Sequence, residues 1–101
     1  MSAKVLTLLG FASKAGKLSF GMNDSIASAK RGKAKLFVVS NDLSPKSLKE
    51  MTFYKTKYNL PLKVLDEDMQ TVSSAVGRKC GIIAVLDAGF AKSISSQEET
   101  V

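Results

Sequence analysis

Apolar residues recur at helical spacing in five stretches of the chain, and four short strand-like runs lie between them. From Lys4 to Ala15, Val5, Leu8, Leu9 and Ala12 fall on one face of a helix, with Ser2 as its cap and Gly16 as its stop. Leu18 to Phe20 alternates apolar, polar and apolar, the length of a short edge strand, and Gly21 breaks it. Asn23 or Asp24 caps a second helix that reaches Arg31, with Ile26 and Ala29 inward and Gly32 closing it. Leu36 to Val39 is continuously apolar and rich in strand formers, the pattern of a central strand covered on both faces.

Asn41 and Asp42 end that strand, and Ser44 followed by Pro45 is a cap with a first-turn proline. Leu48, Met51, Lys55 and Tyr58 continue the third helix at helical spacing, the lysine stem flanking the apolar residues. Asn59 to Pro61 turns the chain into a third strand, Leu62 to Leu65. Asp66 caps a fourth helix with Met69, Val72 and Val76 toward the sheet, and Gly77 stops it. Gly81 to Leu86 is the fourth and most apolar strand, and Asp87 opens a last helix carrying Phe90, Ala91 and Ile94. Residues 96–101 read as a polar, frayed tail. Helices alternating with strands predict one α/β domain over residues 1–101, a three-layer α/β/α sandwich on a four-stranded, mostly parallel (mixed) sheet.

Composition removes several kinds of chemistry. The chain of 101 residues has no His and a single Cys, so Cys80 has no internal disulfide partner and a structural zinc site has too few good ligands. Asp42, Asp66, Asp68 and Asp87 stand near helix starts where capping accounts for them, and no nucleophile is paired with a base at a diagnostic spacing. Cys80 beside Arg78 and Lys79 reads as a small hydrophobe at a strand start. The expectation is a non-enzyme without metal or cofactor; neither a dinucleotide fingerprint nor a phosphate-loop motif is present. No apolar run approaches the roughly 20 residues of a membrane span, which points to a cytoplasmic protein without a membrane partner.

Charge adds a partner class. The net +6 is uneven: residues 1–35 carry +6, residues 36–65 carry +3 and residues 66–101 carry −3. A polyanion fits such a distribution. In an open α/β sheet ligands gather at strand ends and adjoining helix starts, here the loops Gly21–Asp24, Asn41–Ser44 and Gly77–Gly81. Asn23 offers a donor and an acceptor from one amide and Asp24 accepts two hydrogen bonds, a pair suited to base edges, although both also serve as capping residues. Lys14 and Lys17 precede this loop, and Lys30, Arg31, Lys33 and Lys35 follow its helix, so some of them are expected to surround it with charge. Arg78 and Lys79 occupy the turn before the last strand, where a guanidinium can contact a phosphate or stack on a base, and Val76 beside them can offer an apolar edge. Tyr54 and Tyr58, four apart, read as structural.

Taken with Leu8-Leu9-Gly10-Phe11-Ala12, Ala15-Gly16-Lys17, Gly21-x-Asn23-Asp24, Arg31 to Leu36, Asn41-Asp42 and Gly89-Phe90-Ala91, nearly the whole chain resembles the kink-turn RNA-binding ribosomal protein family. That family comprises small archaeal and eukaryotic large-subunit proteins and bacterial YlxQ-like relatives. The resemblance implies the same layered fold and a mode in which Asn23 and its acidic neighbour read guanines of sheared G·A pairs in a bent RNA. It also implies phosphates held at Gly21 and the lysines, and a second contact region at Val76, Gly77, Arg78 and Lys79 that packs on a flipped-out nucleotide. The implied partner is structured RNA, ribosomal RNA among the candidates, with ribosomal or other ribonucleoprotein proteins beside it and no DNA specificity. This chain has Asp24 where the family usually has Glu, Ala27 where Lys is common, Phe20 where a basic residue is frequent, and Ser73 in place of a usual Gly. The alternative on the same fold is a protein-interaction module with weakened or non-specific RNA binding.

Overall fold

Leu36–Val39 and Ile82–Val85 contain no polar side chain, and in the computed structural model, which describes residues 3–97, both are strands buried along their whole length. The elements run α1 Ala3–Lys14, β1 Leu18–Phe20, α2 Met22–Lys30, β2 Leu36–Val39, α3 Pro45–Lys57, β3 Leu62–Val64, α4 Met69–Val76, β4 Ile82–Val85 and α5 Ala88–Ser95. Alternate residues of the central strands serve two cores. Leu36, Val38, Ile83 and Val85 meet Val5 and Leu9 of α1, Val72 of α4 and Ile94 of α5 on one face. Phe37, Val39, Ile82 and Ala84 meet Ala29 of α2 and Met51 of α3 on the other. The expected three-layer α/β sandwich is therefore present.

The sheet is mixed, with spatial order β1-β4-β2-β3, and its parallel share is smaller than expected. β2 pairs with β3 in parallel, but β4 runs antiparallel to both its neighbours, β1 and β2. The first three strands do share one direction, as single-helix crossovers require; β4 opposes them because α4 does not carry the chain across the sheet. At eight residues α4 is about 12 Å long. It ends on Gly77 in the left-handed conformation (φ 76°), with the Gly77 and Arg78 amides both donating to the Ser73 carbonyl at 2.9 and 3.2 Å. The Ser73 hydroxyl then accepts the Cys80 amide at 3.0 Å and donates to the Cys80 carbonyl at 3.2 Å. The chain is folded back along α4, so β4 starts opposite Val39, at the end of the sheet where β3 has just left.

Two caps differ from the sequence reading. Asp68, not Asp66, caps α4 by accepting the Thr71 amide at 2.9 Å, because the Asn41 amide holds the Glu67 carbonyl at 2.8 Å and keeps the chain extended two residues further. The N-cap of α2 is Gly21, with Asn23 and Asp24 already inside the first turn. Ser44 with Pro45, and Asp87, cap α3 and α5 as the pattern implied. Of the expected frayed tail, the Gln97 carbonyl accepts Lys63 Nζ at 2.7 Å and the Ser96 amide bonds the Lys92 carbonyl at 3.1 Å; residues 98–101, like the Ser2 cap, lie outside the described residues. No helix among the described residues is long and apolar enough to cross a membrane.

Phe37 is fully buried between the sheet and α3. Phe37→Ala is expected to lower stability by about 3–5 kcal/mol in urea unfolding; a loss under about 1 kcal/mol would contradict this packing.

Candidate nucleic-acid interface

Strand direction decides what meets at the ends of the sheet. The last residues of β1, β2 and β3 and the first of β4 lie at one rim, which therefore carries the Gly21–Asp24 loop, the loop from Ser40 to Ser44, the β3–α4 loop and the α4–β4 loop. Hydrogen bonds knit these together. The Gly21 amide donates to the Ile82 carbonyl at 2.8 Å, and the Ser40 amide to the Gly81 carbonyl at 3.0 Å. The Asn41 side-chain amide donates to the Asp66 carbonyl, and the Asp42 carboxylate accepts the Met69 amide at 3.0 Å. Loops far apart in sequence thus form one rigid edge.

Gly21 adopts φ 85° and ψ 165°, a conformation that a side chain would strain, and its carbonyl accepts the Ser25 amide at 3.0 Å to begin α2. With glycine at the cap position, the Asn23 and Asp24 side chains do not perform the capping that the sequence allowed them. Both are exposed. They stand beside the first-turn amides of α2, which have no partner within the helix, so donors and acceptors project from this corner.

The second loop is tied to the first by a contact that sequence reasoning missed. The Arg78 guanidinium lies over the Phe20 ring, 4.8 Å from its centroid, a cation–π pair joining the residue before Gly21 to the residue after Gly77. Phe20 was visible only as an aromatic where the resembling family often has a basic residue; nothing in the sequence pairs it with Arg78. Arg78 and Lys79 are exposed and border a cleft of about 590 Å³ with Asp42, Gln70, Ser73 and Ser74. Val76 does not offer the apolar edge expected of it: it is 7 % exposed, belongs to the core, and its carbonyl accepts the Ser13 hydroxyl at 2.9 Å. Tyr54 and Tyr58 stack on each other, 6.2 Å between centroids, on the flank of the α3 core.

The lysines separate. Lys14, the last residue of α1, lines a groove with Phe11 and Ala75 next to the Ser13–Val76 bond, on the α4 side of the molecule. Lys17 and Lys30 are at the opposite rim. The Lys17 carbonyl accepts the Leu86 amide at 2.8 Å beyond the far end of β4. Lys30 closes α2 seven residues after Asn23, about 10 Å along the helix axis. Arg31, Lys33 and Lys35 follow it there. The rim that bears Asn23 instead holds Asp24, Asp42, Asp66, Glu67 and Asp68 against Lys46, Arg78 and Lys79. Of the cations flanking the Gly21 loop in sequence, Lys30 and those after it are thus carried by α2 toward the other end of the sheet.

Residues 3–95 match the Ribosomal protein L7Ae/L30e/S12e/Gadd45 family. The chain belongs to that family. It is 32% identical over 89 residues to the RNA-binding protein YlxQ of Enterococcus faecium, covering 88% of this chain and 85% of that protein. It is 25% identical over 88 residues to the large ribosomal subunit protein eL30 of Aeropyrum pernix, covering 85% of this chain and 88% of the relative. A solved Bacillus halodurans protein of unknown function superposes with a TM-score of 0.89 at 29% identity, covering 93% of this chain and 95% of the other. The resemblance read from the sequence, to a ribosomal protein family with large-subunit members and YlxQ-like bacterial relatives, and the layered fold it implied are thus both borne out.

Burial pushes the Cys80 thiol above its ordinary pKa, against a smaller opposing pull from Arg78. The thiol therefore stays protonated at neutral pH. Alkylation at pH 7.5 is expected to be slow in the folded protein and to accelerate at least about tenfold on unfolding in urea; equal rates would contradict a buried, inert Cys80.

Proposed function

We propose that this chain is a non-catalytic RNA-binding protein that recognises a sharply bent RNA, a kink-turn with sheared G·A pairs, in a cytoplasmic and ribosome-associated setting. The observation that carries this reading is the exposed Asn23–Asp24 pair at the open start of α2, joined through Phe20 and Arg78 to the α4–β4 loop. Such an edge combines amide and carboxylate groups for base edges with a guanidinium plane for an unstacked base, the two ways in which irregular RNA is read. Membership of a ribosomal-protein family and similarity to a protein named as RNA-binding support the partner class. Ribosomal RNA and its associated proteins are the proposed surroundings.

Recognition here rests on shape and base contacts more than on charge. Ala27 supplies no cation where the family commonly has lysine, and carboxylates outnumber cations along the rim. Asp24 is one methylene shorter than glutamate, so Asn23 carries the larger share of discrimination. The acidic rim also favours a second reading, a protein-interaction module docking a basic partner, in which RNA binding is weak and indifferent to bending.

Binding of a kink-turn RNA and of a straight duplex, each at several salt concentrations, separates these. Asn23→Ala is expected to weaken kink-turn binding by about 1–3 kcal/mol while leaving duplex binding unchanged. Equal weak affinity of the native chain for both RNAs, indifferent to that substitution, would overturn kink-turn recognition in favour of the protein-interaction reading.

A further inference from the structure

The charge missing from the candidate interface is gathered at the far end of the sheet. Lys17 sits in the α1–β1 turn, Lys30 closes α2, and Arg31, Lys33 and Lys35 lie in the α2–β2 connection; all five are exposed. Their backbone anchors are fixed. The Lys35 amide donates to the Val85 carbonyl at 2.7 Å and the Lys17 carbonyl accepts the Leu86 amide at 2.8 Å, so these two flank the end of β4. Two strand spacings put them about 10 Å apart. The Arg31 amide bonds the Ala27 carbonyl at 3.1 Å and the Lys33 amide the Ser28 carbonyl at 2.9 Å, which holds the connection against α2. Lys55 and Lys57 end α3 on the same side. Among the described residues the carboxylate at this end is that of Asp87, already accepting the Phe90 amide at 2.8 Å.

Helix dipoles account for cations in a last turn, hence for Lys30 and the α3 pair, but Lys17, Lys33 and Lys35 lie outside the helices. A concentration of cations within about one Debye length acts as a single field, while the acidic rim lies beyond the length of β4, about 13 Å away, and is largely screened from it. A backbone of closely spaced phosphates matches such a field without any base being read.

We propose that the end carrying Lys17, Lys30, Arg31, Lys33 and Lys35 is a second, sequence-independent binding surface for an RNA phosphate backbone, so that one chain holds two RNA segments, one at each end of its sheet. The choice of RNA as the polyanion rests on the function proposed above. The two surfaces divide the work: base and shape recognition of one segment at the Asn23 rim, and a salt-dependent hold on the second segment at the basic end.

The test uses the full chain, a variant with Lys30→Gln, Arg31→Gln and Lys33→Gln, a second variant with Lys17→Gln and Lys35→Gln, and Asn23→Ala. The probes are a short kink-turn RNA and a labelled straight RNA duplex. The native chain carrying one equivalent of kink-turn RNA is expected to capture the duplex. The triple variant should lose roughly tenfold in duplex affinity at low salt, with the slope of log affinity against log salt reduced by about 2–3, and the paired variant should lose in the same direction. Kink-turn affinity should stay within about twofold in the paired variant, whose Lys17 and Lys35 lie off α2 at the far rim, and should fall less than duplex affinity in the triple variant, because Lys30 shares a face of α2 with Asn23 seven residues before it. Duplex binding unaffected by both variants, or duplex and kink-turn RNA competing for one site, would overturn the proposal. If Asn23→Ala leaves kink-turn binding unchanged while the triple variant loses the duplex, the bent-RNA reading falls and the basic surface stands.

Discussion

The insertion of β4 between β1 and β2, antiparallel to both, is the constraint on which the rest of this structure depends. A strand laid there in the opposite direction would bring its C-terminal end, not its N-terminal loop, to the rim where α2 begins. The direction is set by a few hydrogen bonds in the α4–β4 turn. Ser73 receives two amides at its carbonyl and grips the Cys80 backbone in both senses with its hydroxyl, so a short helix is followed at once by a reversal. Each such bond contributes about 1 kcal/mol net, and leaving a part-buried amide unmet costs more than the bond contributes, which is how a small set of contacts fixes a topology. The Ser73 hydroxyl clamps the turn.

Much of the fold was legible because burial writes itself into sequence. Continuous apolar runs marked β2 and β4, the spacing of Val5, Leu9 and Ala12 marked α1, and Ser44-Pro45 marked the start of α3. Strand direction was not legible, since periodicity reports which face a side chain takes and is silent on which way the strand runs. The reversal at Gly77 has no signal in α4's length, since α2 is only one residue longer and does cross the sheet; it becomes visible only with the Ser73 contacts. At the candidate site, the ambiguity between capping and display at Asn23 turned on one residue: Gly21 at φ 85° takes the cap position and leaves the amide outward. Phe20 and Arg78, 58 positions apart, carry no mutual pattern that a sequence could reveal. Which of the cations following α2 stay near the Gly21 loop was not legible, because that depends on where a helix of nine residues delivers the chain, here the other end of the sheet.

A polarised molecule results. One end is irregular, rich in carboxylates and backbone amides, and carries a planar cation braced on an aromatic ring; the other is a set of lysines and an arginine on anchored turns. Uniform positive charge would bind any nucleic acid strongly and select none, since phosphate contacts position without reading sequence. Under the proposed RNA-binding function, the scarcity of cations at the Asn23 rim makes discrimination there depend on hydrogen-bond geometry and stacking. Net charge taken from the sequence averages these two ends into a single number and hides the division between them.

The central claim is that the Gly21–Asp24 and Gly77–Lys79 segments act as one edge. Amide chemical-shift mapping during titration with a short kink-turn RNA tests it most directly. Both segments are expected to shift along a single saturation curve, with Phe20 and Arg78 among the most affected residues. Shifts confined to one segment, or two curves with different midpoints, would contradict the claim and leave the two loops as neighbours without a shared task.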